Sequence, residues 1–235
     1  NLKERSSLIF DNLNELQKKS NLGFKEDFAF FKTHFSAKNF DNKKFLIDKY
    51  VRGIIYIVRD PRDVCISWSK YANLTISESL NFLIDEEAFI QWTAAQGAIE
   101  YPQNIPVIVS SWENHFLSWK NSVSELPHLI IKYEDLVYDK ERVILKILEF
   151  FKINYNIRVQ NEYIKINNIL KTTNFEKMQE EEKNKGFEET NVNQFFSIGQ
   201  KEQWKNKLSY NDILMIEKNF RKTMRDLNYQ LNIEI

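Results

Sequence analysis

Apolar and polar positions alternate along the chain in two rhythms, one helical and one extended. Leu8, Ile9, Leu13 and Leu16 recur at helical spacing and predict a helix over 4–20. Phe28 to Lys32 is short, aromatic and strand-like. The near-continuous β-branched run from Gly53 to Val58 reads as a strand buried on both faces. Asp60-Pro61 follows at once, and proline is favoured at the first helical position, so 53–71 reads as strand, tight turn and helix. Thr75 and Glu78 have the spacing of a capping box ahead of another helix. Residues 86–100 read as helical, Pro102 and Pro106 break the pattern, and Val107 to Val109 is either a short strand or the start of the next helix. A helix follows over 111–120 with Trp112 and Trp119 in the core, then a second buried strand over 128–133 and a helix over 139–151. The pattern weakens from 160 to 200, where Glu180 to Lys185 reads as a solvated, mobile charged run, and 210–227 predicts a last helix. Two buried strands, separated and followed by helices, point to an α/β fold with a parallel sheet.

Composition narrows the classes. A chain of 235 residues with 43% hydrophobic positions can bury the core of one α/β domain or two small ones. Acidic and basic residues balance to zero, so no bulk field draws nucleic acid or a membrane surface, and any anion site must be built from local groups. No apolar run approaches the roughly 20 residues of a membrane span. Cys65 is the single cysteine, which excludes an intramolecular disulfide and fits a reducing compartment; a cytoplasmic location is the expectation. No cluster of His, Cys, Asp or Glu has metal-ligand spacing, and no metal is expected.

Two short stretches carry candidate chemistry. Arg59 stands at the carboxyl end of the predicted strand, where ligands of open α/β sheets bind, and Ser67 lies eight residues on, about two helical turns into the next element. A guanidinium there can fork two phosphate oxygens, and the serine hydroxyl adds a donor. The same residues equally allow a structural ion pair of Arg59 with Asp60 or Asp63 that caps the helix. In Lys32-Thr33-His34, the imidazole can accept a proton near neutral pH and the lysine can neutralise charge on a leaving oxygen, although a lone Lys-x-His is common. His115, within a helix, and His128, at a strand entrance, read as ordinary surface or satisfied core residues.

Taken in order, these stretches resemble the cytosolic-type sulfotransferases, which take a sulfuryl group from PAPS (3'-phosphoadenosine 5'-phosphosulfate). The matching pieces are Lys32-Thr33-His34, the run Val58 to Val64 with Ser67, Tyr133 to Leu136, Thr173 to Met178, and Phe195-Phe196 followed by Gly199 and Trp204-Lys205. The resemblance covers residues 28 to 230. It implies a P-loop-NTPase-like three-layer α/β fold, a central parallel sheet flanked by helices, as one domain over 1–235. It implies that His34 is the general base and that Lys32 stabilises the transferring sulfuryl group or the leaving phosphate. Arg59 and Ser67 would hold the 3'-phosphate; Tyr133, Thr173 and Phe175 would contact the adenine side; Gly199 would let the backbone approach the 3'-phosphate; and Trp204 would pack its motif to the fold. The co-substrate would be PAPS, the product PAP, and the acceptor a small molecule or glycan with a hydroxyl or amine.

Two departures bear on activity. The family's phosphate loop, Pro-Lys-Ser-Gly-Thr-Thr-Trp or close to it, has no counterpart before Lys32, where Gly23 is the only glycine, so an N-terminal truncation lacking a central strand and that loop is expected. Basic residues usually precede the C-terminal glycine, but Ser197 and Ile198 stand there; Lys201 or Lys205 could substitute. Both departures leave open a catalytically inactive nucleotide-binding or regulatory protein of the same fold. A nucleotide kinase ranks last, because it would need a phosphate loop ending in Lys-Ser or Lys-Thr.

Overall fold

The structure is a computed structural model, and it describes residues 11, 29–39, 42–46, 50–91, 106–122, 126–186 and 202–232. The chain divides into two compact units. One takes the described residues within 1–54, 81–94 and 98–128, and the other those within 55–80 and 129–235. The expected helix over 4–20 lies outside the described residues apart from Asp11.

β1 (Ile54–Val58) and β4 (His128–Lys132) are neighbours in a parallel two-stranded sheet. Both strands fall where the β-branched runs predict them. The expectation of burial on both faces is corrected for β1: Val58 is buried, but Ile57 is 56% exposed. Among the described residues β1 has one strand neighbour, and covering both faces of a strand takes packing elements on each. α1 (Pro61–Tyr71) starts one residue after Asp60, whose carboxylate accepts the Arg62 N–H at 2.9 Å, with Pro61 at the first helical position. α2 (Ile76–Ile84) opens on the predicted capping box: Glu78 accepts the Thr75 N–H at 2.8 Å and Thr75 Oγ1 accepts the Glu78 N–H at 3.2 Å.

The helix expected over 86–100 is corrected where the structure describes it. Phe89–Gln91 is a strand, β2, antiparallel to β3 (Pro106–Ile108) in the register Phe89 with Ile108, Ile90 with Val107 and Gln91 with Pro106. The Ala88–Phe89–Ile90 run alternates in burial: Ala88 and Ile90 join the Val107 and Val109 cluster with Phe35 and Phe82, while Phe89 is exposed. Three residues are too few for periodicity to separate helix from strand, and pairing with β3 decides it. The strand expected at Phe28–Lys32 is also corrected: residues 29–34 have no regular structure. Phe30 and Phe31 are exposed, and adjacent aromatics form a stable strand only when both faces are covered.

α3 (Trp112–Ser122) buries Phe116 and Trp119. After β4 the chain turns directly into α4 (Tyr133–Tyr138), so Tyr133 begins a helix instead of ending the strand. α5 (Lys140–Tyr155) is capped by Asp139 and ends at Asn156 in the left-handed region. The weak pattern after 160 conceals α6 (Glu162–Thr172) and α7 (Phe175–Lys185). The run expected to be mobile at Glu180–Lys185 is thus the helical end of α7. Asn174 accepts the Glu176 and Lys177 amides at its start, and Gly186 (φ 75°) donates to the Glu182 carbonyl at 2.7 Å at its end. These local terms hold a helix that buries none of its residues, so its sequence shows no amphipathic stripe. α8 (Trp204–Lys207) and α9 (Tyr210–Asp226) complete the chain; α9 begins on a Ser209–Asp212 capping box.

Candidate active site

Arg59 leaves the carboxyl end of β1, and its guanidinium lies 4.4 Å from the centre of the Tyr133 ring, at the carboxyl end of β4. Two residues 74 positions apart are thus stacked at neighbouring strand ends. The sequence left Arg59 free either to bind a phosphate or to cap the next helix. Arg62 makes a helix-capping ion pair with Asp60, while the charge of Arg59 acts on Asp63. Arg62 forks Asp60 through Nε at 2.9 Å and Nη2 at 2.6 Å, reaches Glu217 of α9 through Nη1 at 2.6 Å, and lies 3.8 Å over Trp204. Arg62 is 2% and Glu217 0% exposed. Burial opposes the Arg62 charge, but Asp60 and then Glu217 outweigh it and hold the guanidinium above its ordinary pKa.

This buried cluster carries the C-terminal motif. Asp63 accepts the Glu202 amide at 2.7 Å and the Trp204 amide at 3.2 Å, which seats the start of α8. Burial raises the Asp63 pKa, against the positive charge of Arg59 and the two amides. Glu134 performs a similar task beside Tyr133: it accepts the Asp60 amide at 2.9 Å and the Tyr229 hydroxyl at 3.0 Å. Asp63 and Glu134 thus seat backbone beside the two strand ends.

Further cations gather near Arg59. The ammonium of Lys70, in the last turn of α1, is held below its ordinary pKa by burial and then by Lys207 of α8 and by Arg59. Positive charges close enough to lower the Lys70 pKa make a local positive potential. Lys207 also donates to Gln203 Oε1 at 3.0 Å. Lys205 pairs with Glu202 at 2.8 Å, and Lys201 lies outside the described residues. Ser67 is exposed on α1. Thr173 ends α6 and Phe175 opens α7; Lys140 donates to the Thr173 carbonyl and, at 3.2 Å, to its hydroxyl. Gly199, with Phe195, Phe196, Ser197 and Ile198, lies outside the described residues.

In the other unit, Lys32 and His34 are exposed in a segment without regular structure. His115 of α3, read from sequence as ordinary, donates from Nε2 to the His34 carbonyl at 3.3 Å. Burial, and then the neighbouring His34, push its pKa down to about 4, against the hydrogen bond to the His34 carbonyl, which raises it. An imidazole kept neutral in the fold contributes stability that is complete above the unfolded value near 6.5 and is lost as pH falls toward about 4. Chemical denaturation at pH 7 and pH 4.5 is therefore expected to lose up to about 3 kcal/mol from this group, and His115→Gln is expected to remove that part of the loss. An unchanged pH dependence in His115→Gln would contradict it. His128 donates from Nδ1 to Leu126 at 3.0 Å and is satisfied locally. Among the described residues, no group of three or more His, Cys, Asp or Glu could hold a metal, and no helix is long and apolar enough to cross a membrane.

Paired parallel strands followed by helices, with an arginine stacked on a tyrosine at their carboxyl ends, define an α/β protein. The sulfotransferase domain matches residues 12–228, and the chain belongs to that family. It is 28% identical over 207 residues to sulfotransferase 2A1 of Macaca fascicularis, a match covering 86% of this chain and 65% of the relative. To sulfotransferase 1A1 of Rattus norvegicus it is 25% identical, over 81% of this chain and 61% of the relative. The chain thus spans just under two thirds of the length of these relatives. Mouse sulfotransferase SULT7A1, solved with PAP, superposes with a TM-score of 0.56 at 23% identity, covering 80% of this chain and 63% of that one. Retinol dehydratase, solved with retinol and PAP, superposes at 0.53 and 17% identity, covering 80% and 50%. The fold is the P-loop-like α/β fold of the sulfotransferases.

Proposed function

We propose that this chain carries the sulfuryl-transfer machinery of a PAPS-dependent sulfotransferase. The observation that carries the reading is the Arg59–Tyr133 stack at the β1 and β4 ends, beside Lys70 and Lys207. Its chemistry fits a nucleotide bearing a 3'-phosphate: the guanidinium forks phosphate oxygens, the lysines add charge, Ser67 adds a donor, and Tyr133, Thr173 and Phe175 flank the base. Gly199 completes this set on the family resemblance. PAPS supplies the sulfuryl group. His34 takes the proton of the acceptor hydroxyl or amine as the acceptor oxygen or nitrogen bonds to sulfur. Lys32 stabilises the sulfuryl oxygens or the phosphate oxygen that keeps the electron pair of the broken S–O bond, leaving PAP. Sulfuryl transfer, like phosphoryl transfer, depends on alignment and charge stabilisation more than on covalent catalysis. The acceptor is a small molecule or glycan; the small-molecule choice is supported by the guinea-pig relative named 3-beta-hydroxysteroid sulfotransferase and by the retinol of retinol dehydratase.

Calorimetric titration with PAP tests the nucleotide half. Arg59→Ala is expected to weaken PAP by about 1.5–3 kcal/mol, the range for a hydrogen bond to a charged group, or roughly 10- to 150-fold in Kd. Equal affinities would remove Arg59 from the site. PAP binding without any transfer would favour the second reading, a nucleotide-binding protein that keeps the fold, which Ser197 and Ile198 support.

A further inference from the structure

One face of α3 is a polar stripe aimed at a single stretch of backbone. His115, Ser118, Trp119 and Ser122 are spaced at i, i+3, i+4 and i+7, which places them on one side of the helix. Each meets the main chain of 34–37. His115 Nε2 donates to the His34 carbonyl at 3.3 Å and Trp119 Nε1 to the Phe35 carbonyl at 2.9 Å. The Ala37 amide donates to Ser118 Oγ at 2.9 Å, and Ser122 Oγ donates to the Ala37 carbonyl at 3.2 Å. From the other side, the Ser36 amide donates to the Ile108 carbonyl of β3 at 2.8 Å, and the Phe35 amide turns back to Thr33 Oγ1 at 3.1 Å. Phe35 and Trp119 also flank Phe45, with ring centres 5.7 and 5.6 Å from it. Exposure changes sharply along this stretch: Lys32 and His34 are exposed, whereas Ser36 is 1% and Ala37 3% exposed.

A segment without regular structure has no ladder of its own to fix its register, and its buried backbone groups must find partners elsewhere. Here a helix side-chain row supplies them. We propose that His115, Ser118, Trp119 and Ser122 are positioning residues: a rail on α3 that holds residues 34–37 in one register and so fixes how Lys32 and His34 are presented for transfer. The last part rests on the reading of His34 as the base. Each rail residue acts through backbone, so its contribution is to geometry and order and not to the reacting atoms. A misplacement of about 1 Å at a catalytic group costs on the order of 10²-fold in rate, so such a rail is worth its four polar side chains.

The test uses the whole chain at pH 7.5, with nuclear magnetic resonance of the His34 ring and amide hydrogen exchange at Ser36 and Ala37. Trp119→Phe keeps an aromatic ring but removes the N–H donor together with some buried volume; His115→Ala removes the other donor. Both are expected to shift or broaden the His34 ring resonances and to speed exchange at Ala37, which neither side chain bonds directly, by about 10-fold or more, one broken hydrogen bond's worth. His115→Gln, which keeps a neutral N–H donor, is expected to restore the wild-type His34 signal. Leu83→Ala, buried in α2 of the same unit and outside the cluster that Phe35 joins, destabilises without removing a rail donor or acceptor and is expected to leave the His34 signal in place. Unchanged His34 resonances and Ala37 exchange in both Trp119→Phe and His115→Ala would overturn the rail, as would equal changes in Leu83→Ala. His34→Ala is expected to retain Ala37 protection. Retained protection together with undiminished sulfuryl transfer in that variant would count against the base and leave the rail's hold on the backbone standing.

Discussion

His34→Ala is expected to cut turnover roughly 10²–10⁴-fold, the usual share of general base catalysis, with PAP affinity little changed. The imidazole is exposed, and a neutral ring is needed to take the acceptor's proton. The rate is therefore expected to fall as pH drops through the histidine's titration. Lys32→Ala is expected to slow turnover as well, through lost charge stabilisation, without altering that acidic limb in the same way. A purely structural His34 forecasts something different, a lowered melting temperature at a near-normal rate. Steady-state turnover, PAP titration and thermal melting on one His34→Ala preparation separate the two, and near-normal turnover in the folded variant rules out His34 as the base.

The largest expected loss of stability lies away from the reacting groups. Arg62→Ala removes the arginine that pairs with the buried carboxylates of Asp60 and Glu217, and it strips that cation from the face of Trp204. Breaking one partner of a buried ion cluster costs about 3–5 kcal/mol, because the remaining charges keep their desolvation penalty. Urea denaturation is expected to show that loss at pH 7. Arg62→Met combined with Glu217→Leu is expected to lose less than Arg62→Ala, since it removes one buried carboxylate along with the cation and keeps the volume filled. A loss below about 1 kcal/mol in Arg62→Ala would mean that the triad is solvated in solution. Trp204 packs on Arg62 and its amide is held by Asp63, so the same variant is expected to loosen α8 and, with it, Lys207 beside Lys70.

Local sequence was enough wherever a local rule decides the outcome. Asp60-Pro61 sets the start of α1, the Thr75–Glu78 box sets the start of α2, and the β-branched runs set β1 and β4. Helices 112–122, 140–155 and 210–226 follow from their spacing. The family was legible from five short motifs in order, and the sulfotransferase-domain match over 12–228 agrees. The candidate residues themselves were legible only as residue types at a strand end or beside an aromatic run.

Other features needed partners distant in the chain. Phe89–Gln91 is a strand because β3 pairs with it, and α7 is a helix held by its caps and charges with no buried face to announce it. Whether Arg59 or Arg62 would form the capping ion pair could not be read from Arg-Asp-Pro-Arg-Asp, because either arginine reaches Asp60; Glu217, 155 residues on, and Trp204 draw Arg62 inward and leave Arg59 to Tyr133. His115 looked ordinary because its partner is a backbone carbonyl 81 residues away, and a carbonyl has no signature in sequence. The sequence by itself determined the elements whose stabilising terms lie within one or two turns of chain: caps, β-branched runs and helical stripes. The tertiary structure decided which of two equivalent cations is buried, which short apolar run pairs as a strand, and which polar side chains hold the segment bearing His34, because burial, ion pairing and backbone satisfaction depend on groups that only folding brings together.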